Sequence, residues 1–284
     1  MLGVVIPLVL NMLTLICILM IVAMGLAIVF GLMEVINLAH GEFVTIGAFT
    51  LALTQANGYD YWLALMIAPI IGAAIGFLLE RSLIQFLYNQ PLSTILVTWG
   101  VSLIIIQILV LVFGSQPLAV TNPIPGSVEI IGVGYPAYRL FLIAASLVIL
   151  GICIYVFRFT DFGLKLRTTI QDRDMAEALG INTRQISAIA FAAGGGIAAI
   201  AGVLVAPLLV VQANMGMFYL ARAFFVVIVG GTGGIAGVAA GSALVGGLET
   251  ILSTVMTTTL AQATVLLFAV VMIRLMPQGL VRAR

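Results

Sequence analysis

The residues best suited to chemistry in this chain gather around its one histidine. His40, Gly41 and Glu42 reproduce the H-x-E half of a zinc deaminase. The other half, P-C-x-x-C, is missing, because Cys17 and Cys153 stand far apart. A single histidine also excludes the paired ligands of an H-E-x-x-H site. The sole lysine, Lys165, follows Leu164, so there is no Walker sequence and the chain does not hydrolyse ATP by itself. Gly231-Thr-Gly233-Gly-Ile-Ala236 imitates a dinucleotide-binding glycine pattern, but no charge occurs between Arg222 and Glu249 to serve the ribose. No nucleophile–base pair or metal set can be assembled, so we expect no enzyme, no metal and no cofactor on this chain. Both cysteines lie in apolar runs and read as small core hydrophobes without a disulfide.

What remains is polar chemistry set into apolar sequence. Glu34, Asn37, His40 and Glu42 interrupt one apolar run just after Gly31, and Gly230–Gly237 interrupts another between Phe224–Val229 and Val238–Val245. A shift of 199 positions aligns Gly31 with Gly230, Ile36 with Ile235 and Gly47 with Gly246. Paired interruptions in the two halves of a membrane chain point to a transport pathway at a repeat interface. An ionised glutamate deep in lipid is expensive, so such residues must face protein or water. Two readings follow. One is a broken helix beside a pathway, with Asn37, His40, Gly41, Glu42, Gly230, Gly231, Gly233 and Gly234 as candidates; the other is a short interfacial turn with solvated carboxylates.

The elements that position these residues must tolerate lipid. Of 284 residues, 63% are hydrophobic and 7% charged, and the net charge is +1. A soluble domain carries about 25% charged residues, and a disordered chain needs low hydrophobicity and high charge. A nucleic-acid partner needs a basic excess, which is absent. The expectation is an all-α, polytopic transmembrane helical bundle with glycine-broken helices, forming a single domain over 1–284 in contact with membrane lipid. Apolar runs near 4–30, 43–57, 62–79, 92–114, 139–157, 185–211, 220–253 and 258–276 predict about eight to nine crossings, the long 220–253 stretch crossing twice. The first run has no basic n-region or A-x-A site and reads as a membrane helix rather than a signal peptide.

Charge sets the orientation. Arg158, Lys165, Arg167, Arg173 and Arg184 fall in a loop over 158–184, and Arg274, Arg282 and Arg284 close the chain, so both regions are expected inside. The loop over 115–138, with Glu129 and four prolines, is expected outside, and parity puts the N-terminus outside. Rows of small residues, Gly233/Gly237/Gly241, Gly72/Gly76 and Gly194/Ala198/Gly202, predict close helix–helix approach. Within the inside loop, Met175–Leu179 predicts a short helix, started by Asp172 and Asp174 and ended by Gly180.

Four spaced segments carry a family resemblance. Gly31-Leu-Met-Glu-Val-Ile-Asn37-Leu-Ala-His40-Gly41-Glu42-Phe43 resembles the signature of Liv-type permeases, the membrane subunits of ABC importers for branched-chain amino acids. Asp172-Arg173-Asp174-Met-Ala176-Glu177-Ala178-Leu179-Gly180-Ile181-Asn182 resembles the family's cytoplasmic loop, in a shorter form than the E-A-A-x-x-x-G of other ABC importers. Val229–Gly241 and Arg274–Leu280 are similar as well, in the same order.

The resemblance implies a permease that pairs with a second, related permease subunit. It implies two ATPase subunits that bind ATP and Mg, and a periplasmic binding protein that delivers substrate, in a bacterial inner membrane. It also implies that Asp174, Ala176, Glu177, Ala178, Leu179, Gly180 and Ile181 couple the chain to an ATPase. Some family members carry urea and short amides, which leaves that substrate class open. A stand-alone ion-coupled carrier or channel is the alternative from another class; it would place ionisable residues within spans, where only Glu249 resists placement at a span end.

Overall fold

The computed structural model describes residues 2–33, 37–88, 90–231, 234–276 and 279–281. Among them are eleven helices: α1 Leu2–Met33, α2 His40–Ala56, α3 Tyr61–Ser82, α4 Pro91–Phe113, α5 Ala137–Phe159, α6 Asp161–Gln171, α7 Arg173–Ala178, α8 Thr183–Val205, α9 Met215–Gly230, α10 Ile235–Leu252 and α11 Thr258–Leu275. The protein is a helical polytopic membrane bundle. Seven of these helices are long and apolar enough to cross a membrane. At 17 and 16 residues, α2 and α9 fall short of the roughly 20 that a perpendicular crossing needs, and counting both is what raises the expected number. The long 220–253 stretch is divided, as its glycines predict, between α9 and α10.

Local sequence explains the ends. Pro91 occupies the first turn of α4, where its missing N–H removes no helical bond, and Gly114 ends that helix with φ +84°. The loop expected over 115–138 contains a hairpin, Ser127–Ile130 paired antiparallel with Val133–Pro136. Its two-residue turn places Ile131 and Gly132 at φ 51° and 76°. An Ile-Gly pair lacks the usual Asn-Gly or Asp-Gly signal, so the hairpin was not legible in the sequence.

The chain divides into two compact units, 24–121 with 151–220, and 1–23 with 122–150 and 221–284. The first is built on backbone contact. A Cβ added at Gly47 would lie 1.9 Å from the Ala199 carbonyl oxygen, one at Gly202 2.0 Å from that of Val44, and one at Gly72 2.6 Å from that of Gly195. Lipid supplies no hydrophobic drive for helices to associate, so close packing of α2 and α3 on α8 must come from such small residues. In the same unit α4 is inverted relative to a soluble helix. Thr94, Thr98 and Ser102, spaced by four, are buried, while Leu92, Leu96, Ile104 and Leu111 are exposed. In the second unit the Tyr135 hydroxyl meets Thr14 Oγ1 at 3.0 Å and donates to Asn11 Oδ1 at 3.1 Å, and Arg139 also donates to Asn11.

Candidate functional site

Among the described residues, side chains as well as main chain meet the backbone groups between α1 and α2. Asn37 Oδ1 accepts the Ala39 N–H at 3.0 Å, while the His40 and Glu42 N–H groups bond to the Asn37 and Ala39 carbonyls. The buried stripe of α4 completes the turn: Thr98 Oγ1 accepts from the Leu38 N–H at 3.2 Å, and the Ser102 hydroxyl donates to Glu42 Oε1 at 2.8 Å. Asn37, His40 and Glu42 are each at most 1% exposed. The Glu42 carboxylate is thus buried within the chain and not solvated. Gly41 permits close passage of the 215–216 backbone, since a Cβ there would meet the Gly216 carbonyl oxygen at 2.4 Å. Among the described residues Glu42 Oε2 and Asn37 Nδ2 have no hydrogen-bond partner. Glu34 and Ile36 lie outside the described residues.

The α9–α10 break is closed by backbone. Gly231 and Gly234 have φ 85° and 64°, conformations that side-chain-bearing residues avoid. A Cβ at Gly230 would stand 2.1 Å from the Gly237 carbonyl oxygen, and one at Gly241 2.2 Å from that of Val226, so the two helices touch main chain to main chain. Gly237 and Gly241 thus pack as expected; Gly233 lies outside the described residues. The C-terminal tail then caps α9: the Leu280 N–H bonds to the Val229 carbonyl at 2.9 Å and that of Val281 to Gly230 at 3.0 Å. These carbonyls belong to the last turn of a helix and have no partner within it. The sequence segments 229–241 and 274–280, which read as separate motifs, meet here.

Glu249, the charge hardest to place from sequence, is paired. Its Oε1 lies 3.4 Å from Arg222 Nη2 on α9 and accepts from Gln262 Nε2 on α11 at 3.1 Å. The partner residue types were present in the sequence, but no spacing rule joins 222, 249 and 262. Thr98 and Ser102 were also missed, although their four-residue spacing with Thr94 was a usable signal of one polar face.

The 158–184 loop folds into two helices, where one was expected. The Thr160 hydroxyl oxygen accepts from the Gly163 N–H at 3.1 Å and starts α6; Asp172 Oδ1 accepts from Met175 at 2.9 Å and starts α7. This cap moves the start of the short helix from Met175 back to Arg173, and Leu179 becomes its C-cap. Gly180, at φ 81°, donates its N–H to the Glu177 carbonyl, and Ile181 donates to that of Ala176, which is a Schellman termination. Ala176 is wholly buried within the chain and Ile181 packs on the Leu166–Ile186–Ala190 cluster. Asp174, Met175, Glu177, Ala178, Leu179 and Gly180 remain exposed. Glu177 accepts from the Thr183 hydroxyl and lies 3.6 Å from Arg173 Nε. That hydroxyl bond and the adjacent guanidinium hold the Glu177 carboxyl below its ordinary range. The Arg173 guanidinium also stacks over Tyr88, 4.7 Å from the ring centroid. Burial and the neighbouring Glu80 carboxylate push the Tyr88 phenol up, so it stays a donor.

With seven membrane-length helices, two closed breaks and a capped loop helix described, comparison with known proteins decides the family. A family profile described as "Branched-chain amino acid transport system / permease component" matches residues 8–276. The chain belongs to this family. The branched-chain amino acid permease protein LivH of Salmonella typhimurium is 28% identical over 276 residues, 91% of this chain and 89% of that protein. BraD of Pseudomonas aeruginosa, also named a branched-chain amino acid permease protein, is 28% identical over 246 residues, 80% of each. Among solved structures, PsaBC from Streptococcus pneumoniae in complex with Fab aligns with a TM-score of 0.51 at 14% identity, over 94% of this chain and 90% of that one. This last likeness is one of fold. The permease is thus a LivH-type membrane subunit of the ABC importer class.

Proposed function

We propose that this permease imports branched-chain or related amino acids across a bacterial inner membrane, using ATP and Mg bound by two partner ATPases. It works as one permease domain beside a second, related permease subunit and receives substrate from a periplasmic binding protein. In this reading 158–184 faces the cytoplasm and 115–138 the binding protein. Asn37, His40, Gly41 and Glu42 at one break, and Gly230, Gly231, Gly233 and Gly234 at the other, are the candidates for the translocation pathway or its broken helices.

The observation that carries the reading is α7. It is capped at both ends, anchored to its own chain through Ala176 and Ile181, and still leaves Met175, Ala178 and Leu179 exposed. A hydrophobic edge on so short a helix serves no core of this chain and suits insertion into a cleft on an ATPase. Asp174, Glu177 and Gly180 border that edge, with Gly180 setting the turn.

The test is copurification and uptake in vesicles at matched permease amounts. Ala178→Arg puts a long charged side chain on the docking edge, and Gly180→Val strains the turn by about 1 kcal/mol or more. Both variants should insert into the membrane normally but release the ATPases or hydrolyse ATP without leucine uptake. Normal uptake in both would show α7 to be a passive connector. A single-chain preparation that transports leucine without ATP would instead favour a stand-alone carrier.

A further inference from the structure

Two polar arms leave α7 and end on different helices. The first starts at Arg173, whose guanidinium covers the Tyr88 ring in the α3–α4 connection. The Tyr88 hydroxyl donates at 2.7 Å to Oε1 of Glu80, a wholly buried carboxylate near the end of α3. The second starts at Glu177, which pairs with Arg173 and accepts from the Thr183 hydroxyl at the first residue of α8. Thr183 is itself buried.

The two target helices are locked together. A Cβ on Gly72 would meet the Gly195 carbonyl oxygen at 2.6 Å, and one on Gly195 would meet that of Gly72 at 2.8 Å. Gly76 faces the Phe191 carbonyl and Gly196 that of Pro69, each 3.0 Å from an added Cβ. Backbones in such contact cannot be displaced one at a time, because close-packed interiors transmit strain rather than absorb it. Aliphatic contacts would have sufficed to fix α7 in place. A buried carboxyl group is an expensive anchor. Glu80 Oε1 keeps the Tyr88 bond while Oε2 has no partner among the described residues. Loss of the phenol would leave both oxygens bare, so the phenol, with Arg173 over it, is held to one geometry.

We propose that Arg173–Tyr88–Glu80 and Glu177–Thr183 are twin struts that carry movement of α7 into the packed pair α3–α8 during the ATP cycle. The residues act by positioning and touch no substrate. The inference rests on the coupling role proposed above for α7, and it adds which membrane helices respond first.

The experiment uses the complete complex with its ATPases in lipid vesicles. Backbone amide exchange is compared between ADP and ATP with vanadate, and leucine uptake is measured per ATP hydrolysed. Tyr88→Phe keeps the ring under Arg173 and removes the hydroxyl, hence the donor to Glu80 and its contact with Ser187; Arg173→Met keeps the stem and removes the guanidinium. In the wild type, exchange changes at α7 and at the cytoplasmic ends of α3 and α8. In both variants the response should persist at α7 and vanish at α3, with the ATPases still bound and uptake per ATP down about tenfold, the scale of a lost hydrogen bond to a charged group. Thr183→Val should remove the α8 response in the same way. An unchanged α3 response in both Tyr88→Phe and Arg173→Met overturns the proposal. Losses of uptake and hydrolysis that merely track the amount of assembled complex also overturn it, since the arms would then only support the fold. If the wild-type chain never retains ATPases, it is the importer reading that fails.

Discussion

The two breaks solve one problem by different means. Among the described residues where α1 gives way to α2, side chains meet two of the freed N–H groups, Asn37 that of Ala39 and Thr98 of α4 that of Leu38. Those of His40 and Glu42 turn back on main-chain carbonyls. Where α9 gives way to α10, the freed groups are met by main chain, with glycines in left-handed conformations and the tail bonding to Val229 and Gly230. In lipid every freed backbone group must find a partner inside the protein, so a broken helix survives only with one of these devices. The difference teaches what each break tolerates. A side-chain closure is sensitive to loss of a polar atom and a main-chain closure to gain of any carbon.

The sharpest way to break that comparison is Gly237→Leu. Its Cβ would lie 2.8 and 2.9 Å from the Gly231 and Gly230 carbonyl oxygens, neither of which can swing away. We expect about 3 kcal/mol of destabilisation from overpacking, read as a lower unfolding midpoint in detergent. Wild-type stability would place the row against lipid.

At the other break, Ser102→Ala adds no volume and should still cost about 2 kcal/mol, because it strips a hydrogen bond from the buried Glu42 carboxylate. Adding Glu42→Leu should recover much of this loss, since two apolar groups leave no orphan. No recovery would mean that Glu42 is held by something other than Ser102. Removing residues 279–284 should cost about 1–2 kcal/mol from the two lost bonds to the last turn of α9. It should leave Ser102→Ala effects unchanged, as expected for sites without shared partners.

The smallest effect lies outside both breaks. The Glu177 carboxyl is held below its usual range, so its bonds to Thr183 and Arg173 persist as pH falls through the ordinary carboxylate range and are lost only as pH drops through the depressed value. Amide exchange near α7 measured from pH 7 to pH 3 should therefore rise only at the acid end. A rise already complete at pH 5 would contradict that order.

Much of this was legible beforehand because it rests on short-range rules. Membrane thickness and apolar run length find the spans, Asp172 and Gly180 mark the ends of α7, and glycines at every fourth position mark backbone contact. The four-stage resemblance likewise needs only order along the chain. The exposed rims were harder: α6 hides in a loop because Thr160 caps it without an apolar run, and Ile131-Gly132 turns a hairpin without a standard turn pair.

The sequence by itself thus determined that this is a multi-pass helical membrane protein resembling the branched-chain permease family, with a short helix in its basic loop. It marked polar or glycine-rich interruptions after Gly31 and over Gly230–Gly237, without deciding between a broken helix and a turn for the first. Tertiary structure alone decided what closes each interruption, and that Glu249 is paired with Arg222 and Gln262. It alone joined the glycine run to the tail, and Arg173 to Glu80 through Tyr88. The physical reason is range. Periodicity and capping act over a few residues of chain, whereas a buried donor finds its acceptor only after helices distant in sequence have packed.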